Sequence, residues 1–474
     1  MTGAASATVS PRPATICALD VLEPRRLLAG APLPDVVYVQ TNDPGANAIL
    51  AYHRDPQSGV LTEFGRFPTG GKGFLNASDA LGPDDSDQEI VTIPSRRLLY
   101  TINQGSNDIS AFRYADSGAL TLIGRFGSEG VQPVSIGLVS DDQVVVVNRG
   151  NTRQPSPGNT PGNYVSFRVK HDGALKRVPN SAVTLDPRIS PAQALVAPDG
   201  SFVFGNNFVP PPDFSITEQV ESFTLRPNNR LERVAGSPFG ADVTPPTILG
   251  LQNHPSQRIV YAGLVAANQL GVFTYDDAGA LDFVTAVPAG GMAICWISID
   301  RGGRFAYGIE TGTNTVSVFS LANPLQPVLI QTIQLAGLQR PVGDPVGPPL
   351  TNPFQSSLDA DGRHLYVVNH QTAPGNVFPQ GNALHTLNVG ADGRLSEPTP
   401  PIVFDPADVP PAANPRGVLV LSATGVGEEA DAPPDGFEVS AATRIAFGSF
   451  SKTVIGQADE EQDNAVSALV AMLA

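Results

Sequence analysis

The chain has 474 residues, 41% of them hydrophobic, with 47 glycines, 45 prolines and a formal net charge of −16 from 29 basic and 45 acidic side chains. This much Gly and Pro without a collagen-like period, beside an ordinary apolar fraction, points to many short strands joined by turns around a sizeable core. The acidic balance, with no cluster of Lys and Arg, argues against nucleic acid or an anionic membrane surface as a partner. No apolar run reaches the roughly 18 residues that a membrane helix needs. The two cysteines, Cys17 and Cys295, cannot build a disulfide framework, and Cys295 within Ala293-Ile294-Cys295-Trp296-Ile297 reads as a small buried hydrophobe.

Residues 1–33 read as a targeting-type segment outside the fold. They lack a basic stretch followed by a continuous apolar one, so no standard secretory signal is readable. Leu22-Glu23-Pro24-Arg25-Arg26-Leu27-Leu28-Ala29-Gly30 resembles the LEPR-x-LL motif near the N-terminus of many bacterial surface and exported proteins. That resemblance implies placement in the cell envelope or outside the cell.

A hairpin then recurs along the chain: a short alternating strand, a tight turn of Gly, Asp or Asn, and a Leu opening the next strand. It occurs at Tyr52–Leu61, Tyr114–Leu120, Lys170–Leu175, Arg226–Leu231 and Tyr275–Leu281, in degenerate form at Ala322–Val328, and at Gly390–Leu395. Gly and Asn adopt positive φ at little cost and Asp bonds the turn backbone, so these are turns with a mechanism. Seven copies exclude coincidence. A second turn precedes each copy after the first, as in Val196-Ala197-Pro198-Asp199-Gly200-Ser201-Phe202 and Leu358-Asp359-Ala360-Asp361-Gly362-Arg363-His364. Each repeat therefore holds four strands, a to d, the unit of a propeller blade.

Strands b, c and d occur seven times, beginning with Val36–Gln40 as the first b, whereas strand a occurs six times before the C-terminal part. Residues 415–421 supply the missing one. The expectation is an all-β, seven-bladed β-propeller of four-stranded antiparallel blades over 34–421, closed by 415–421 as the inner strand of the first blade. A sandwich would not explain the self-similarity, and β-helix rungs are shorter.

The a–b and c–d turns are tight, and every long insertion is a b–c loop (150–163, 208–218, 370–382) or a d–a loop (72–88, 337–352). These share one face, which is expected to carry any binding or chemistry. The acidic run Asp84-Asp85-Ser86-Asp87-Gln88-Glu89 makes Asp84, Asp85 and Asp87 candidate Ca2+ ligands, although the run does not fit an EF-hand. Strand b often ends in Asn, at Asn103, Asn148, Asn207 and Asn369, where the amide can cap the backbone. Gln104, Asn148, Asn207 and Asn369 are candidate ligand contacts. Arg149, Glu310 and His370, from three blades, are candidate catalytic residues, a cation, a carboxylate and an imidazole for acid–base work.

Units such as Asn103-Gln104-Gly105-Ser106-Asn107-Asp108-Ile109-Ser110-Ala111-Phe112 and Thr313-Asn314-Thr315-Val316-Ser317-Val318-Phe319 resemble blades of the lactonase family, which includes bacterial 6-phosphogluconolactonase and fungal carboxymuconate-lactonising enzymes. The resemblance covers roughly residues 34–421 and implies a seven-bladed propeller. It also implies a His, a Glu and two Arg at strand ends, and the matching places hold Ala192, Leu249, Val265 and Thr311, none of which can do that work. Residues 422–474 leave the repeat pattern as an acidic extension. Two readings follow for a monomer at the cell surface: a propeller hydrolysing a 6-phosphogluconolactone-like lactone at the long-loop face of its central channel, or a non-catalytic propeller binding a protein or small ligand through the same face.

Overall fold

The computed structural model describes residues 1, 34–74, 86–151, 160–208, 216–244, 247–337, 351–371, 381–410 and 413–422. Residues 2–33, with the motif at 22–30, and the extension from 423 onward lie outside the described residues, as does most of each long loop. From residue 34 the described chain forms seven antiparallel sheets. Blade 1 runs from the axis outward as Arg416–Leu421, Val36–Gln40, Ala48–Arg54 and Leu61–Pro68. Blade 2 runs Ile90–Ile93, Leu98–Asn103, Asp108–Tyr114 and Leu120–Gly127. The inner strands of blades 3 to 7 are Pro133–Ser140, Ala194–Val196, Ile248–Asn253, Ile294–Ile299 and Thr351–Leu358. In blades 3, 4 and 7 the outer strand is split, and its second piece, Val183–Thr184, Phe239–Gly240 or Ile402–Val403, pairs again with strand c.

Packing explains the composition of each strand. Strands b are buried along almost their whole length and rich in Val, Ile, Leu and Tyr, because neighbouring blades cover both of their faces. Outer strands such as Leu120–Gly127 are exposed or half-buried beyond their first residue, as strands at a sheet edge are. The apolar core is a ring of layers between blades rather than one central mass. One cluster joins Val36 and Tyr38 of blade 1 to Leu99 and Phe112 of blade 2, and another joins Ile102 of blade 2 to Val144 and Val165 of blade 3.

The seams carry a repeated polar tie. The third residue of strand b is Tyr in blades 1, 2, 5, 6 and 7, and in all of these but blade 6 its hydroxyl donates to a carbonyl in the next blade's c–d turn: Tyr38 to Gly118 (2.7 Å), Tyr100 to Gly173 (2.8 Å), Tyr261 to Pro324 (2.9 Å) and Tyr366 to Gly59 (3.1 Å). Each of these four hydroxyls is thus satisfied across a seam. Gly118 sits at φ +82°, and a Cβ there would fall 2.5 Å from Val36, so the turn that receives Tyr38 requires glycine.

Strand Arg416–Leu421 pairs antiparallel with Val36–Gln40, Leu421 opposite Val36 and Val418 opposite Val39, and closes the ring. Gly417 is the extra residue of a bulge in that ladder and sits at φ +63°. On the blade 7–blade 1 seam, buried Arg54 donates to Asp35 (2.7 Å), Asp359 (2.9 Å) and Ser422 (3.3 Å). Burial pushes the Asp359 carboxyl up, but bonds from His364 (2.8 Å) and the Arg363 and His364 amides, with Arg54, outweigh it and hold the group below its usual range. Its stabilising contribution is therefore present at neutral pH and disappears on acidification through that depressed value. Asp359→Ala, which leaves Arg54 and His364 without this partner, is expected to lower unfolding stability by about 3 kcal/mol in denaturant titrations. A loss below about 1 kcal/mol would show that the closing seam does not depend on this ion pair.

Candidate functional site

The seven inner strands surround a central cavity of about 330 Å³. Most of its lining is polar, including Gln88, Gln193, Gln252, Gln355, Ser298 and Ser356, together with the carboxylates Asp87 and Glu89. No Lys, Arg or His is among the described lining residues.

At the long-loop end, residues 86–89 cross the channel on their way into blade 2. Asp87 N donates to the Ala192 carbonyl of blade 4 (3.2 Å), and the Gln88 carbonyl accepts from Ile136 N of blade 3 (3.1 Å). Ser86 Oγ donates to Glu89 Oε1 (2.5 Å) and accepts from Arg416 Nη1 of blade 1 (3.1 Å). Gln355 of blade 7 donates from Nε2 to Glu89 Oε1 (2.8 Å) and accepts at Oε1 from Gly417 N (2.9 Å). The acidic loop thus ends as a plug tied to blades 1, 3, 4 and 7. The accessible wall of the cavity lies beyond it: strand starts are buried, whereas Leu138, Gln252, Ser356, Ser357, Val418 and Leu419 further along are partly exposed. The cavity therefore opens toward the tight-turn face. The long-loop face, where binding or chemistry is expected, is the end at which residues 86–89 close the channel.

Glu89 is fully buried, and burial pushes its carboxyl up to about 7 against the opposing bonds of Ser86 and Gln355 and the charge of Arg416. Asp87 is partly accessible to the cavity yet enclosed by protein, and that enclosure, with the charge of Glu89, raises its carboxyl well above the usual range. Two carboxyls of raised affinity for protons meet at the closed end of a polar cavity. Glu89 therefore changes charge near neutrality, beside an Asp87 that holds its proton more strongly than an ordinary carboxyl.

His370 lies behind this cluster. Its ring is 5.0 Å from that of Phe354, whose other neighbours are Trp296 at 5.4 Å and the Arg416 guanidinium at 5.4 Å. Burial, with Arg416 beside it, lowers the imidazole to about 3 despite its bond to the Pro415 carbonyl, so it stays neutral. Gln104 is buried and accepts from Arg416 (3.4 Å). Glu310 does what Asn103 does in blade 2. Asn103 Nδ2 donates to Asp108 and Ser110, five and seven residues on, and Glu310 accepts from Thr315 (2.6 Å) and Ser317 (2.9 Å) at the same spacings, and from Gly291 N (2.6 Å). Arg149 is buried, and neither it, Glu310 nor His370 is among the described residues lining the cavity.

The strand-end amides are likewise turned into the blades. Asn148 donates to the Ser128 carbonyl and Asn163, Asn207 to Glu221, and Asn369 to Asn314. The residue ending strand b in blade 4 is Asn206, which accepts from Ala192 N (3.0 Å). Asp84 and Asp85 lie outside the described residues, and among the described ones no group of three or more His, Cys, Asp or Glu could hold a metal ion. Ala192, Leu249 and Val265 are buried in one apolar cluster, and Thr311 is bonded to Cys295 (2.7 Å). Gln355 and Arg416 are residues that sequence reasoning did not single out as a site, and Glu89 entered it only as a member of the acidic run. The available signal was a carboxylate directly preceding an inner strand.

No protein-family model matches the chain, and no curated protein matches it. Solved structures do. A candidate 6-phosphogluconolactonase of Bacteroides uniformis superposes with a TM-score of 0.59 at 14% identity, over 82% of this chain and 99% of that one. Another, of Bacteroides fragilis, gives 0.58 at 16% identity over 82% and 98%. The periplasmic gluconolactonase of Pseudomonas aeruginosa gives 0.59 at 16% identity over 82% and 99%. At these identities the likeness establishes the propeller fold.

The folded protein keeps the Glu89 proton up to about pH 7, whereas an unfolded chain releases it near the ordinary carboxyl value. Stability contributed by this group therefore declines as pH rises across that interval. Melting curves should show Glu89→Gln gaining on the wild type by up to about 3 kcal/mol between about pH 5 and 8. Parallel curves for the two proteins would mean that Glu89 ionises as an ordinary carboxyl.

Proposed function

We propose that this chain is a lactonase-type propeller that hydrolyses a small uncharged sugar lactone in its central cavity. The observation that carries this reading is the Asp87–Glu89 pair at the closed end of a cavity large enough for a hexose-sized ring. Water attacks the lactone carbonyl carbon while ionised Glu89 takes its proton. The bond to the ring oxygen then breaks, and that oxygen receives a proton from protonated Asp87, leaving a hydroxy acid. Arg416 and Gln355 act behind Glu89, holding its carboxyl in place through Ser86 and directly. With two carboxylates and no basic side chain in the described lining, a phosphorylated lactone is disfavoured electrostatically. The lactonase-like blades and the gluconolactonase among the superposable structures support the reaction class. The LEPR-x-LL-like segment supports a location in the envelope or beyond it.

A second reading, a non-catalytic propeller that binds a ligand, is favoured by the burial of Ala192, Leu249, Val265 and Thr311 where acid–base and cationic groups would stand in an active relative. Assays with glucono-1,5-lactone and its 6-phosphate separate the two. The expected result is turnover of the uncharged lactone over its phosphate, with kcat lowered about 100-fold or more in Glu89→Gln. Loss of turnover in Arg149→Ala and His370→Ala, with Glu89→Gln unaffected, would move the site to the long-loop residues. Absence of turnover with every lactone would leave the binding module.

A further inference from the structure

The same cavity has an electrostatic character that hydrolysis of a neutral ring does not use. Its described lining holds two carboxyls at one end, hydroxyls and amides along the rest, and no cation. Glu89 Oε1 is bonded to Ser86 and Gln355, but buried Oε2 has no hydrogen-bond partner. It lies beside Gly417, itself part of the cavity wall, where an added Cβ would sit 3.3 Å from Oε2 and 3.0 Å from Glu89 Cβ. The glycine thus leaves space beside a buried, unpartnered carboxylate oxygen of a residue that lines the cavity, space that any side chain would fill. A donor carrying positive charge is what such an oxygen lacks.

We propose that the cavity is a binding site for a small hydroxylated primary amine, its ammonium seated between Asp87 and Glu89 and its hydroxyls against Thr92, Gln252 and Ser356. The site does not depend on the hydrolytic reading, because charge and geometry define it without any reaction. An ammonium supplies three donors to the two carboxylates, and the polyol tail replaces water on the polar wall. Binding favours the ionised form of both carboxyls, so protons leave as the amine enters. Of the other titratable groups packed behind this end, Arg416 lies beside Glu89 and His370 remains neutral, so the pH dependence belongs to the acidic pair.

Calorimetric titration of the full chain with 1-amino-1-deoxyglucitol, and with glucitol as its uncharged counterpart, tests this. The amine is expected to bind at least about tenfold more tightly. Its affinity should rise from about pH 5.5 to 8, with a heat that differs between buffers of different ionisation enthalpy because protons are released. Asp87→Asn should abolish the preference for the amine with the melting temperature little changed. Gly417→Ala, whose methyl group would fill that space, should weaken the amine selectively, and the Asp87 variant decides the matter if the alanine at positive φ unfolds blade 1. Equal binding of the two compounds, no binding of the amine at millimolar concentration, or amine binding indifferent to Asp87→Asn would overturn the site. Lactone turnover is read separately: amine binding without turnover removes hydrolysis and keeps the site, and the reverse outcome removes the site alone.

Discussion

Everything in this molecule depends on one antiparallel ladder, that between Val36–Gln40 and Arg416–Leu421. A chain of repeats in which each sheet covers only its neighbours has two exposed ends, and the cost of those ends falls only when they meet. Here the meeting is hydrogen-bonded through the ladder, charged through Arg54 and Asp359, and apolar through a cluster that joins blades 6, 7 and 1. The bulge at Gly417 adds a second consequence. By inserting one residue it turns Arg416 toward Ser86 and Gln104, so the strand that closes the ring also supports the carboxylate at the end of the channel.

The fold was legible because its determinants are local and repeated. A turn of Asp, Gly or Asn announces itself within a few residues, and the Tyr at the third position of strand b recurs at the same place in five blades. Even the closing strand followed from counting. Asn207 shows the limit of that grammar, since strand b of blade 4 ends one residue earlier at Asn206.

The site was far less legible, because it is assembled from segments that only the closed ring brings together. Ser86 meets Gln355 and Arg416 across sequence separations of 269 and 330 residues. Sequence spacing cannot foretell that residues 86–89 run across the channel end. For Glu310 a local clue did exist: Thr315 and Ser317 stand where Asp108 and Ser110 stand relative to Asn103, so a carboxylate had replaced an amide in the same seam-binding role. Side chains at strand ends divide into those that hold blades together and those that look into the channel. Neighbours five and seven residues on identify the first kind.

The join between the first and last strands also sets an order on how the chain is made. Val36–Gln40, Ala48–Arg54 and Leu61–Pro68 leave the ribosome well before Arg416–Leu421 exists, so the edge of Val36–Gln40 stays open while six further sheets are synthesised. Until the final strand arrives, that edge is a template for any other extended segment nearby, including the same edge of a second nascent chain. Premature termination just short of residue 416 would therefore release an association-prone polypeptide rather than a slightly shortened one.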